Sequence, residues 1–234
     1  MPRNSAYDLL ICDCDGVLVD SEIIADRLLA ETLARLYPGR GAEQLLANAF
    51  GTQTEVLLAR IAAHLGESLP ENFTEQLSRD MDDILAAEVE PIPGIRAALE
   101  AVGLPIAVVS NSPESRVRIS VGRAGLAHLI SDRIFTADHV ALPKPAPDVY
   151  LLAARSLMVG PARCIVVEDS GPGVTAAKAA GMSVIGFVGA SHIPAGHDAK
   201  LLGLGAAHIL RDMKQLPQVI ADLGARSLQG RGSA

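Results

Sequence analysis

Short apolar runs rich in Val and Ile recur along this chain of 234 residues and alternate with amphipathic stretches. Leu9–Cys12, Ile106–Val109, Arg133–Thr136, Cys164–Val167, Val184–Val188 and His208–Leu210 read as strands. Helical periodicity fills the intervals at Ile95–Val102, Ser115–Ala124, Asp148–Leu157, Thr175–Ala180 and Met213–Leu223. Strands that alternate with helices predict an α/β fold, with a parallel sheet covered on both faces.

The pattern changes between Ser21 and Glu90, where no strand is legible. Apolar residues recur at Ile24, Leu28, Leu29, Leu33 and Leu36 until Pro38-Gly39 stops the run, and Ser21 is placed to cap it. A second helix carries Leu57, Leu58, Ile61 and Leu65; a third, started by Pro70, carries Phe73, Leu77, Met81 and Ile84. The reading is an α/β core of residues 1–19 and 91–234 with an all-helical insert at 20–90. Its hinges lie at Gly16–Asp20 and Glu90–Gly94.

Composition narrows the function. The net charge of −7 and an aromatic content of 3 %, with no Trp, exclude the basic, base-stacking surface that nucleic acid requires. The acidity is concentrated: residues 20–90 hold 14 acidic and 5 basic residues and no Lys. This reads as a solvated helical face. Cys12, Cys14 and Cys164 have neither paired spacing nor a neighbouring His, so they read as buried free thiols of a reducing compartment. No apolar run approaches the roughly 18 residues of a membrane span, and Asp13 interrupts the one stretch that could resemble a targeting signal. The expectation is a cytoplasmic protein whose final residues, Gln229–Ala234, form a disordered tail.

The chemistry collects where the strands end. Ligands of open parallel sheets sit outside the carboxyl ends of the strands. The first strand delivers Asp13 and Asp15, the second Ser110 and Asn111, a later loop Lys144, and the fourth strand Glu168 and Asp169, followed by Ser170, Gly171 and Gly173. Adjacent carboxylates are costly unless a cation or proton compensates. The set suits a phosphate with Mg2+, which prefers a few hard carboxylate oxygens together with phosphate and water. A carboxylate can attack phosphorus, and a second can serve as acid and then base. Taken singly, the parts have blander readings: Asp13-x-Asp15 as a loop cap or structural-ion site, Ser110-Asn111 as a turn, Lys144 as a solvated charge, Glu168-Asp169 as a helix cap. Their order, each at a predicted strand end, favours the joint reading. Gly171-Pro-Gly173 could imitate a dinucleotide loop, but the acids before it repel pyrophosphate and Pro172 lacks a backbone donor. His192 and His197 could reach the site, yet read as loop residues.

Four stretches closely resemble the haloacid dehalogenase-like superfamily of phosphohydrolases: Asp13-Cys-Asp15-Gly-Val-Leu-Val-Asp20-Ser21, Val-Val-Ser110-Asn111-Ser112, Lys144-Pro-Ala-Pro147-Asp148, and Val-Val-Glu168-Asp169-Ser-Gly-Pro-Gly173. The resemblance implies a Rossmann-like core and a helical cap, as in the phosphoglucomutase-like and sugar-phosphatase branch. It implies Asp13 as nucleophile, and Asp15 as acid/base with its carbonyl on Mg2+. Ser110 and Asn111 would hold the phosphoryl group, Lys144 would stabilise it and orient Asp13, and Glu168 and Asp169 would complete the metal site. Dehalogenases and phosphonatases lack a carboxylate at the position of Asp15, so those activities are not expected. Cys14 and Val17 depart from the family's usual residues without touching the reacting groups.

The expected function is a Mg2+-dependent phosphatase of small phosphorylated metabolites, sugar or sugar-acid phosphates, acting through an aspartyl-phosphate. The alternative is a β-phosphoglucomutase-like hexose-phosphate mutase, disfavoured because Phe50–Thr54 carries none of that enzyme's basic cap-loop residues. Arg27, Arg35 and Arg60 are candidate substrate handles that also read as surface ion-pair partners.

Overall fold

A computed structural model of the chain describes residues 6–48 and 54–231. The stretch 49–53, with nearly all of the cap-loop segment read against a mutase, and the last residues 232–234 lie outside the described residues. The chain divides into two compact units, one formed by residues up to Asp20 and from Glu90 onward, the other by Ser21–Val89.

The first unit is built on six parallel strands: β1 (Leu9–Cys12), β2 (Ile106–Ser110), β3 (Ile134–Thr136), β4 (Cys164–Glu168), β5 (Ser183–Phe187) and β6 (His208–Leu210). Their order in the sheet is β3-β2-β1-β4-β5-β6. The register pairs Ile11 with Ala107 on one side and with Val166 on the other. Residues of both parities are buried: Leu9, Ile11, Val109 and Val166 on one face, Leu10, Cys12, Val108 and Val167 on the other. That burial explains why the strands read as unbroken apolar runs and not as alternation. The strand order reverses around β1, which places β1 and β4 side by side at the switch point where ligands of such sheets bind.

The second unit is helical, with α1 (Glu22–Leu36), α2 (Thr54–Leu65) and α3 (Phe73–Glu88) joined after α1 by a 3-10 segment at Ala42–Asn48. Leu29, Leu33, Leu57, Ile61, Leu65 and Phe73 make its core. They lie on the helix faces that the sequence periodicity marks. Ser21 precedes α1 but makes no capping bond with its side chain; its backbone is already helical (φ −83, ψ −26), which turns the side chain from the capping position.

In the first unit the helices are α4 (Ile95–Val102), α5 (Glu114–Arg123), α6 (Ala127–Ile130), α7 (Asp148–Ser156), α8 (Gly171–Ala179), α9 (His197–Gly203) and α10 (Leu216–Arg231). On one face of the sheet, Val149, Tyr150 and Ala153 of α7 and Val174 and Ala177 of α8 pack on Leu9, Ile11 and Val166. α10 runs to Arg231, so Gln229–Arg231 continue a helix where a loose tail was expected. Among the described residues no helix is long and apolar enough to cross a membrane.

Candidate active site

β1 ends in a tight turn that sets both aspartates. The Asp13 N–H donates to Val167 O at 3.0 Å, prolonging the ladder by one residue. Gly16 then turns with φ +75, and its N–H donates to Val19 O at 2.8 Å. Asp15 is held by two hydroxyls from the end of β2. Ser112 Oγ donates to its Oδ2 at 2.7 Å, and Ser110 Oγ lies 3.3 Å from the same oxygen. Ser110 in turn accepts the Ser112 N–H at 3.0 Å.

Lys144 is the hub. Its ammonium donates to Asp13 Oδ1 at 2.6 Å, Glu168 Oε1 at 2.6 Å and Val109 O at 2.8 Å. These three acceptors use all three of its donors. Its side chain is 3 % exposed and sits 5.1 Å over the Tyr150 ring. Asn111 holds the lysine's main chain at both ends: its amide donates to Lys144 O and accepts from Lys144 N, each at 3.0 Å. Asn111 thus ties β2 to the lysine loop, a role its position in the sequence did not disclose.

Glu168, fully buried, ends β4 and accepts four hydrogen bonds. Lys144 Nζ and the Tyr150 hydroxyl (2.9 Å) bind Oε1; the Ser170 N–H (3.0 Å) and hydroxyl (2.9 Å) bind Oε2. Ser170 also caps α8, its oxygen accepting from Gly173 N at 3.0 Å. The helix therefore starts at Gly171, earlier than the Gly-Pro-Gly composition suggests; Pro172 is tolerated in the first turn. Gly173 is required by contact: a Cβ there would lie 1.7 Å from Glu168 Oε1.

Asp13, Glu168 and Asp169 each bring a carboxylate oxygen within 4.8 Å of the others, and all three are buried. Four carboxylates, counting Asp15, thus meet one ammonium. Burial pushes the Asp13 carboxyl well above the usual range; Lys144 opposes this, while Glu168, Asp169 and Asp15 add to it. Burial alone would lower Lys144, but Asp13 and Glu168 outweigh it and hold it well above its ordinary value. A divalent cation answers the excess of negative charge, and the all-oxygen donor set is of the hard kind that Mg2+ takes. Cys12 and Cys14 are buried, and burial pushes both thiols up, so they remain apolar packing groups.

Every residue expected at the site is therefore found at the carboxyl ends of β1, β2 and β4 or on the lysine loop. Ser112 bonds Asp15 and Tyr150 bonds Glu168, while His192 and His197 lie against Asp169. Tyr150 had one signal in the sequence: a hydroxyl within the apolar stripe of α7, which needs a buried partner. In the helical unit, a cavity of about 410 Å3 between α1 and α3 is lined by Arg35 with Glu31, Asp80 and Asp83. It contains no motif residue. Arg27 is an ion-pair partner of Glu88.

A family model of haloacid dehalogenase-like hydrolases matches residues 7–181. The 6-phosphogluconate phosphatase of Escherichia coli (strain K12) is 29 % identical over 189 residues, covering 80 % of this chain and 86 % of that one. Hexitol phosphatase A of the same strain is 33 % identical over 180 residues, covering 74 % and 79 %. The crystal structure of a conserved haloacid dehalogenase-like protein of unknown function from Agrobacterium tumefaciens str. C58 matches with a TM-score of 0.82 at 35 % identity, over 93 % of this chain and 99 % of that one. The chain belongs to the haloacid dehalogenase-like hydrolase family, in its sugar-phosphatase branch. It is an enzyme, a phosphoric monoester hydrolase.

Proposed function

We propose that this enzyme is a Mg2+-dependent phosphatase of small phosphorylated sugars or sugar acids, acting through an aspartyl-phosphate on Asp13. The observation that carries the reading is the second carboxylate: Asp15 is held by the Ser110 and Ser112 hydroxyls beside the buried Asp13. An acid placed next to a nucleophilic carboxylate serves an ester whose leaving oxygen needs a proton. The relatives named for 6-phosphogluconate and hexitol phosphates support the substrate class.

In this mechanism an Asp13 oxygen attacks phosphorus and the ester P–O bond breaks. The Asp15 carboxylic acid gives its proton to the departing alkoxide. Asp15, now ionised, takes a proton from water as that water attacks phosphorus. The Asp13–phosphorus bond breaks, and inorganic phosphate and the free Asp13 carboxylate result. Lys144 orients Asp13 and favours its ionised form against the pull of burial. Ser110 and the main chain of Asn111 hold the phosphoryl oxygens, since the Asn111 amide is engaged with Lys144. Asp13, Asp169 and the Asp15 carbonyl would ligate Mg2+, which supplies charge neutralisation for the transferring group. Glu168 contributes its charge beside them, its two oxygens already accepting four bonds. The helical unit Ser21–Val89 is read as the cap that selects the leaving group. The three buried cysteines, none in a disulfide, suit a cytoplasmic location.

The test is a screen of phosphorylated metabolites for phosphate release with Mg2+. Stoichiometric release from a sugar or sugar-acid phosphate is expected. Isomerised sugar phosphate with little release, dependent on a bisphosphate activator, would establish a mutase in its place.

A further inference from the structure

Building on the metal-site reading above, we propose that His192 and His197 are positioning residues that grip Asp169 at two atoms and set its affinity for the cation. Both lie in the segment Ser191-His-Ile-Pro-Ala-Gly-His197 that follows β5 and opens α9. His197 is 5 % exposed, and its Nε2 lies 2.6 Å from the Asp169 main-chain oxygen. A carbonyl only accepts, so the ring nitrogen donates there. His192 approaches the other end of the same residue: its Nε2 is 3.3 Å from Asp169 Oδ2, and both side chains are 7 % exposed. The opposite edge of the His192 ring faces the carboxylate of Asp20, with Nδ1 3.7 Å from Oδ1. Gly16 closes the remaining side, because a Cβ there would lie 2.0 Å from Asp169 Oδ2 and 2.9 Å from His192 Cε1.

The three clustered carboxylates are thus held in different ways. Lys144 fixes Asp13; Lys144, Tyr150 and Ser170 fix Glu168. Asp169 has the two histidines at its carbonyl and its carboxylate. A ligand carboxylate oriented in advance surrenders little side-chain freedom when the cation arrives. Partners that hold metal ligands in this way typically change metal affinity by about 10–100-fold when removed.

The test measures Mg2+ binding to chelator-stripped protein by calorimetry, beside the melting temperature of the same metal-free protein. His192→Phe keeps a ring and its volume but no nitrogen; His192→Gln keeps an N–H donor near the Nε2 position. The Phe variant should bind Mg2+ about 10–100-fold more weakly at a metal-free melting temperature close to wild type, and the Gln variant should recover most of the affinity. His197→Gln should likewise stay closer to wild type than His197→Phe. An unchanged dissociation constant in both Phe variants overturns the proposal. Asp169→Asn separates the two levels. If it loses Mg2+ while the Phe variants do not, only the histidine assignment fails. If wild type binds no Mg2+, or Asp169→Asn binds it unchanged, the metal site and the histidine assignment fail together.

Discussion

Replacing Lys144 with Met tests the hub of the site. Met keeps the length and apolar character of the lysine stem and removes its charge and donors. In the wild type that charge sits 2.6 Å from both Asp13 and Glu168, with a side chain 3 % exposed. Its loss leaves two buried carboxylates facing each other and Val109 O without its ammonium donor. Deleting one partner of a buried ion pair costs about 3–5 kcal/mol. For a chain of this length each kcal/mol moves the melting temperature by about 2–4 °C, so a fall of roughly 6–20 °C is expected in metal-free protein. Burial already favours the neutral form of Asp13, so the deficit should shrink as the pH is lowered and that carboxyl takes a proton. With Mg2+ present, kcat should drop by about 10²–10³-fold, the usual effect of removing one preorganised electrostatic partner. The assays are thermal melts in chelator across pH and steady-state hydrolysis of the best substrate from the screen. An unchanged metal-free melting temperature, or an unchanged kcat, would refute the role of Lys144 as internal counter-ion.

Three further outcomes follow from the same geometry. Asp15→Asn should slow hydrolysis of a sugar phosphate far more than that of an activated aryl phosphate, whose leaving group needs no proton; equal slowing would count against acid catalysis by Asp15. Gly173→Ala should displace the Glu168 carboxylate, because the new methyl would lie 1.7 Å from Oε1, and should lower both kcat and stability; a crystal structure of the variant with Glu168 unmoved would contradict this. Lys144 is held above its ordinary value of 10.5, so the folded protein retains a proton that the unfolded chain releases. The stability this contributes is complete below that pH and is lost as pH rises from there through the folded value; denaturant titrations of wild type and Lys144→Met that run parallel in this range would show the linkage to be absent.

Much of this organisation is legible in the sequence, because the strands are buried on both faces and announce themselves as apolar runs. Leu9–Cys12 and His208–Leu210 coincide with β1 and β6, and the acids that follow β1 and β4 mark the carboxyl edge of the sheet without any structure. Elements read less well where side chain and backbone bond locally. Gly171 and Pro172 look like loop residues until Ser170 is seen to cap the first turn of α8. Met213 was read as the start of the last helix, but Met213–Gln215 form a 3-10 turn, and α10 begins at Leu216. The histidines are hardest to place, since nothing in the spacing of His192 and His197 reveals that both nitrogen contacts fall on the one aspartate that follows β4. Asn111 carries a second role that its motif position does not show: beside the phosphate contact the motif suggests, its side-chain amide secures the lysine loop.

Chemical trapping of the phosphoryl enzyme bears most directly on the central claim. The enzyme, mixed with a labelled sugar phosphate and Mg2+, is quenched in acid within one turnover and mapped by peptide mass spectrometry. The phosphoryl group should appear on the peptide carrying Asp13, and neither chelated wild type nor Asp13→Asn should acquire it. Label on any other residue, or full turnover by Asp13→Asn, would contradict the account.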